Sequence, residues 1–277
     1  MSECRDGTFT TSGNHERKKR RSIPSGGPQH RIPKLVHGRK TQRSGLTLGS
    51  GHDAVREGRT LFPSTVVNAD ESPRLLVSGV NQRKVGRLVT KGAWAGMPIY
   101  TLTLEERATC PRSCKQWQSC YGNNMHFSRR HRLDEDMIVH LYEEIEAKAS
   151  EHPGGFVVRA HILGDFGSPD NAELALTYIR MWRLALTEFS ALRMWSYTAH
   201  HPDSEIGQVI RSLNATFPDR CRVRFSGHAL GGEGAVVIDR PEDSEHVVCP
   251  AQTDGTDCCA TCALCWSMDR TVEFLKH

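Results

Sequence analysis

Ten cysteines occur in this 277-residue chain, and eight of them stand in two tight groups. TCPRSCKQWQSCYG holds Cys110, Cys114 and Cys120, and CPAQTDGTDCCATCALCW holds Cys249, Cys258, Cys259, Cys262 and Cys265. Gaps of two to five residues within a group are too short for most unstrained disulfides, yet they suit thiolates converging on one metal ion or cluster. The fold must therefore bring each group of thiols to a common place.

Composition bears on the compartment. Hydrophobic residues make up 38% and charged residues 25% of the chain, a globular balance on the polar side. No apolar run approaches the roughly 18 residues of a membrane span, and the polar start lacks the apolar stretch of a secretion signal. A cytoplasmic location with no membrane association is expected. Thiols stay reduced there, which favours metal ligation.

Charge is unevenly placed. Residues 1–60 hold thirteen Lys and Arg against five Asp and Glu, a balance of +8 that leaves −4 for the rest of a chain whose net charge is +4. With few aromatics and much Gly, Ser and Pro, residues 1–59 are expected to form a disordered basic tail. Such a tail is either a nucleic-acid arm acting through phosphate contacts or a solubilising leader.

From Thr60 the chain alternates strand and helix signals. LFPSTVV, RLLVSGV, PIYTLTL, GFVVRAHI, LRMWSYT, RVRFSG, AVVID and HVVC read as strands. Leu133, Met137, Leu141 and Ile145 recur on one face of a helix over residues 132–150. Ser168 with Pro169 opens a second helix, and a third follows Pro202 and Asp203. This pattern predicts an α/β fold, a partial (β/α) barrel of parallel strands over residues 60–248. A Cys-rich metal-binding segment follows at residues 249–277. Ligands of such folds bind at the carboxyl ends of the strands. Those ends read EERATCPRSC, LGDFGS, YTAHH, SGHALGGEG and CPAQ, so the chemistry is expected on that rim.

Three thiolates at C-x3-C-x5-C can hold three irons of a [4Fe–4S] cluster and leave the fourth open, or hold zinc with a further ligand such as His126 or His131. A strand that runs into a three-cysteine loop, its last cysteine followed by Tyr121, resembles the cluster loop of radical S-adenosylmethionine (SAM) enzymes. The usual spacing there is C-x3-C-x2-C. The resemblance extends to LGDF (Leu163 to Phe166), YTAH and RFSGH, at the positions where that family meets SAM. It implies that Cys110, Cys114 and Cys120 hold a cluster, and that Gly164, Asp165, Thr198 and Ser226 bind SAM, with Asp165 near its amine. It further implies that reductive cleavage yields a deoxyadenosyl radical that takes hydrogen from a small-molecule or nucleotide substrate. TLTLEERATCP…CYGNNM, RAHILGDF and CPAQ…CALCW…FLKH are also similar to a phage and bacterial family known only as gene product 88-like. That resemblance covers residues 60–277 and implies no particular activity.

Cys259, Cys262 and Cys265 at C-x2-C-x2-C, with Cys249 upstream, make a full set of four for zinc or a second [4Fe–4S] cluster, hence a closed site. Two other arrangements stay open: Cys249 completing the first group's site, or His277 replacing a cysteine. Cys258 and Cys221 are expected to be structural thiols. Asp165 and His161, four residues apart and so expected on one face of a strand, are the catalytic candidates. His200, His201 and the glycine-rich GHALGGEG are weaker candidates for ligand contacts.

Two other functions fit parts of the chain. One is a zinc-containing base-exchange enzyme resembling queuine-type transglycosylases, with Asp165 as nucleophile and Cys259, Cys262, Cys265 and His277 on zinc. The other is a non-enzymatic nucleic-acid-binding protein that zinc merely staples.

Overall fold

Alternating strands and helices can bury both faces of a parallel sheet only if something covers each face. The computed structural model describes Gln29 and residues 46–276 and shows what does so here. Cys4, His277 and nearly all of the basic head lie outside the described residues.

Order begins before Thr60. Helix α1 (Asp53–Glu57) is capped by the His52 side chain and stopped by Gly58 in the left-handed region. Its Ala54 and Val55 pack with Leu48, Leu61 and Trp117, so apolar contacts hold this piece of a polar region in place. Short strands β1 (Val66–Val67), β2 (Val77–Ser78), β3 (Ile99–Thr101) and β4 (Arg130–His131) follow. Helix α2 (Glu135–Glu151) starts where the Asp134 carboxylate accepts from the Met137 amide, and acids fill its first turn. This arrangement satisfies a free amide and opposes the helix dipole.

Two strand–helix units and a further strand come next. They run β5 (Phe156–Arg159), α3 (Ala172–Glu188), β6 (Leu192–Thr198), α4 (Glu205–Thr216) and β7 (Cys221–Ser226). Ser168 caps a single 3-10 turn, and Asn171 then caps α3. Ser204, rather than Pro202 or Asp203, caps α4 through the Gly207 amide. A side chain at Gly207 would meet the His201 carbonyl at 2.0 Å, so the tight entry needs glycine. The chain ends with β8 (Gly234–Ile238), β9 (Val247–Val248), α5 (Cys259–Cys262), α6 (Leu264–Ser267) and β10 (Val272–Leu275).

Eight strands form one sheet in the order β2-β3-β5-β6-β7-β8-β10-β9, and β1 pairs with β4 apart from it. Among the described strands of this sheet only β2 runs antiparallel to its neighbour; the other strand pairings are parallel. The α/β class and parallel sheet are thus as the alternation predicts. The C-terminal segment is less separate than its cysteines imply, because β10 enters the sheet between β8 and β9.

Strand alternation sorts the side chains. Phe156, Val158, Leu192, Met194 and Val223 face the helices and join a core with Tyr178 and Trp182 of α3. Ile99, Val157 and Trp195 face the other way, into a core with Trp94, Cys265 and Trp266. Trp266 lies flat on Trp94 at 5.3 Å and touches Trp195 at 4.7 Å, contacts that add about 0.5–1.5 kcal/mol each beyond area burial. The Cys259 and Ala260 amides donate to the Lys84 and Val85 carbonyls, and the Thr90 amide donates back to the Ala260 carbonyl. The cysteine segment therefore covers the face that the helices leave open. No described helix is long and apolar enough to cross a membrane.

Strands β7 and β8 are parallel with only a short connection, where a crossover normally needs a dozen residues or more. The sheet permits this because β8 begins late: it pairs only with Phe225 and Ser226. Val223 would then lack a partner on that side, and Asn214 of α4 supplies one. Its amide nitrogen donates to the Val223 carbonyl and its oxygen accepts from the Val223 amide, both at 2.8 Å. Asn214→Ala orphans two buried backbone groups and should cost about 2–4 kcal/mol, read as a lower denaturant midpoint at unchanged slope.

Candidate functional site

The rim is built where β3 runs on into the first cysteine group. Beyond Thr101 the chain stays paired, with the Ile162 amide donating to the Leu102 carbonyl and the Leu104 amide to the Leu163 carbonyl. It then turns sharply at Arg107, whose φ is 65°. Successive turns carry the thiols: the Cys110 amide donates to Arg107, Cys114 to Pro111, and Asn123 to Cys120.

What holds this loop is a buried polar network. Arg130 and Glu106 form an ion pair at 2.6 Å with side-chain exposures of 0% and 1%. A second contact at 3.1 Å makes it bidentate, the geometry that best repays desolvation. Arg130 also donates to the carbonyls of Gly122, Met125 and Ser128, and Glu106 accepts from the Thr60 hydroxyl. Arg107 donates to the Trp117 and Arg59 carbonyls and to Asn123. A side chain at Gly122 would meet the Glu106 carboxyl at 2.6 Å, so the pair seats directly against backbone.

Thr109, just before the first thiol, stitches the loop to the end of β5. Its hydroxyl accepts from the Asp165 amide and its carbonyl accepts from the Gly167 amide. Gly164, at φ 81°, has no room for more than hydrogen, since a Cβ would lie 2.6 Å from the Thr109 hydroxyl and 2.7 Å from Leu104. The Asp165 carboxylate, 3% exposed, accepts from the Phe166 amide at 2.8 Å and from the Ala199 amide at 2.6 Å. It thereby ties the end of β5 to the end of β6. Burial raises its pKa, while His200, these two amides and Thr198 oppose the shift. The Thr198 hydroxyl accepts from the His200 amide, and the His200 ring donates to the Gly167 carbonyl. Ser226 ends β7, exposed, and Lys115 of the cysteine loop reaches the adjacent Gly227 carbonyl at 3.3 Å. Four strand ends are thus linked by the cysteine loop and Asp165.

His161 sits differently from Asp165. Strand β5 stops at Arg159 and His161 has φ 60°, so alternation no longer governs its direction. Its ring nitrogens meet the Tyr178 hydroxyl at 3.0 Å and the Ser196 hydroxyl at 3.1 Å, in the helix-side core. Burial pushes its pKa well below the ordinary histidine value, which keeps the ring neutral. Its ring edges onto Phe166, next to Asp165, at 4.4 Å. GHALGGEG forms the turn from β7 to β8, and its Gly234 carbonyl is bonded by the buried Arg224. His201 is exposed and edges onto His228 at 4.9 Å.

The three thiols of the first group are neighbours of one another, and Cys110 and Cys114 are neighbours of Asp165. Burial raises the Cys110 pKa well above the usual value, and Asp165, Cys120 and Cys114 raise it further. Cys114 is pushed up to about 11, mainly by burial, and Cys120 is raised by burial too. Anion-forming groups gathered with an acid disfavour charge unless a cation joins them. In the second group, Cys249, Cys259, Cys262 and Cys265 line one narrow cavity, walled also by Ala263, Trp266 and Val272. Cys258 is turned away from it, against Gly86 and Thr261, and Cys221 lies in the helix-side core. Among the described residues, no three His, Cys, Asp or Glu side chains stand as a set that could hold a metal ion as they are placed.

No family model matches the chain, and neither curated proteins nor solved structures provide a match. The functional reading therefore rests on this geometry. Reading the sequence missed Thr109, Lys115, the Ala199 amide and the Glu106–Arg130 pair. Of these, Thr109 and Lys115 carried a signal, their places beside Cys110 and Cys114. Arg130→Met leaves the Glu106 charge buried and alone and should cost about 3–5 kcal/mol in denaturant unfolding. Limited proteolysis should then cut first between residues 107 and 125.

Proposed function

We propose that the chain is an iron–sulfur enzyme of the radical SAM type, built on a partial (β/α) barrel, with a small molecule or nucleotide as substrate. The observation that carries this reading is the stitching of the Cys110–Cys114–Cys120 loop to Asp165 and the end of β6 at the carboxyl rim. The donor types suit a cluster with one open position: three cysteines on one loop, and a carboxylate from another strand near Cys110.

In this reading Cys110, Cys114 and Cys120 hold a [4Fe–4S] cluster, and Gly164, Asp165, Thr198 and Ser226 face SAM. Bound together, these two groups supply one-electron chemistry for taking hydrogen from unactivated carbon. The Asp165 oxygens accept from two amides and from the Thr198 hydroxyl, which leaves a lone pair to accept from the SAM ammonium. The Ala199 and Phe166 amides fix the carboxylate's direction before any ligand arrives, which is preorganisation. Cys249, Cys259, Cys262 and Cys265 hold a second, closed centre on the other face of the sheet from the helices.

Anaerobic purification followed by iron, sulfide and zinc analysis tests the reading. Iron and sulfide with a broad absorption near about 400 nm are expected; two zinc and no iron would overturn it in favour of a zinc enzyme or zinc-stapled protein. On reduction with SAM, Cys110→Ala should abolish deoxyadenosine formation, and persistence of that product would remove the assigned cluster.

The basic residues 1–45 are proposed as a nucleic-acid arm. Their removal should weaken RNA or DNA binding and flatten its salt dependence, measured as the slope of log affinity against log salt. An unchanged slope would leave them as a solubilising leader.

A further inference from the structure

Two arginines on the sheet face that carries the second cysteine group form no ion pair with an acid among the described residues. Arg224 is 0% exposed, and all its bonds go to carbonyl oxygens. It donates to Cys265 at 2.8 Å, Met268 at 2.7 Å, Arg270 at 2.9 Å and Gly234 at 3.0 Å. Arg159, half-buried, donates to the Ala160 carbonyl at 2.9 Å and the Ser196 hydroxyl at 3.4 Å, and lies 4.7 Å over the Tyr197 ring. Among the described residues no carboxylate forms an ion pair with either.

These two residues are close by construction. Arg159 registers with Trp195 and Tyr197 registers with Arg224 across adjacent parallel strands. Alternation therefore puts Arg159, Tyr197 and Arg224 side by side, on the face that Cys265 and Trp266 cover. The Tyr197 hydroxyl is buried, without a nitrogen or oxygen partner, and has the Cys265 thiol beside it; its ring packs in the same cluster as Cys259 and Cys265. Two guanidiniums without a carboxylate, and a buried hydroxyl beside a thiol, call for negative charge.

Four thiolates around a divalent ion, or around a [4Fe–4S] core in its two-plus state, carry two net negative charges; three thiolates and a neutral imidazole on zinc carry only one. We infer that Cys249, Cys259, Cys262 and Cys265 bind metal as a four-thiolate centre, with Arg159 and Arg224 as its two counter-charges and the Tyr197 hydroxyl as a donor to thiolate sulfur. The inference rests on the closed second centre proposed above, and it holds for iron or zinc. It assigns Arg159 and Tyr197 a positioning and charge-balancing role toward sulfur.

The test uses the full-length protein, purified anaerobically, with Arg159→Met, Arg159→Lys, Tyr197→Phe and Cys259→Ala beside it. Metal release to a chromogenic chelator is followed in time, with circular dichroism as a check on folding. Arg159→Met should release the second centre's metal roughly 10–100-fold faster, the usual effect of losing a partner of a metal ligand. Arg159→Lys should stay within about threefold of the parent because it keeps the charge. Equal release from Arg159→Met and the parent, or equally fast release from both Arg159 variants when folded, would overturn the inference. Should Arg159→Met fail to fold, Tyr197→Phe decides: faster release supports the inference and an unchanged rate overturns it. If Cys259→Ala keeps the parent's full metal content, the second centre itself is refuted. If Cys259→Ala loses metal while Arg159→Met does not, only the counter-charge assignment fails.

Discussion

The bidentate pair between Glu106 and Arg130 is the interaction on which the rim depends. Three thiols cannot be held on a loop by hydrophobic packing alone, because the loop's backbone carries many polar groups that must be satisfied. Arg130 answers several at once, gathering the carbonyls of residues 122, 125 and 128 around a carboxylate that also binds Thr60. Everything between β3 and α2 is thereby tied to one buried point. A paired buried charge contributes little net stability compared with an apolar substitute, but it admits few alternative arrangements. For a loop that must present three sulfurs in register, that restriction is the useful property.

From this clamp the site spreads sideways rather than inward. Thr109 joins the cysteine loop to β5, Asp165 joins β5 to β6, and Lys115 reaches the end of β7. Each link uses a backbone amide or carbonyl on one side, so the rim is rigid without a continuous apolar filling. The opposite face of the sheet works by other means. There, three tryptophans and two short helices bring the second group of thiols to a narrow cavity.

Much of the fold was legible because it is periodic. Strand β6 falls on residues 192–198 as the sequence indicates, and Met137, Leu141 and Ile145 of α2 are buried on the face their spacing picks out. Asp165 was legible as an acid after a strand and before a cap. Periodicity failed where the chain leaves regular structure. His161 follows the end of β5 in a left-handed conformation, so counting residues along a strand misplaces its ring. Strand β4 is two residues long, and β10 hides its pairing in the four residues VEFL, so neither announces itself. The partnership of Glu106 with Arg130 spans 24 positions and has no local signature. Likewise, nothing in the order of residues marks Arg159 and Arg224 as cations without acids; only the register of three strands brings that out.

The position of β10 carries a consequence of handedness. Along the sheet, β3, β5, β6 and β7 succeed one another in a single direction, with their helices on one face. From β9 to β10 the chain steps back the other way. Parallel crossovers are almost always right-handed, so reversing the direction of travel moves the connecting segment to the opposite face. The connection between β9 and β10 is the cysteine segment itself. Chirality of the backbone, more than any affinity between sulfur and its surroundings, thus decides on which side of the sheet those thiols lie.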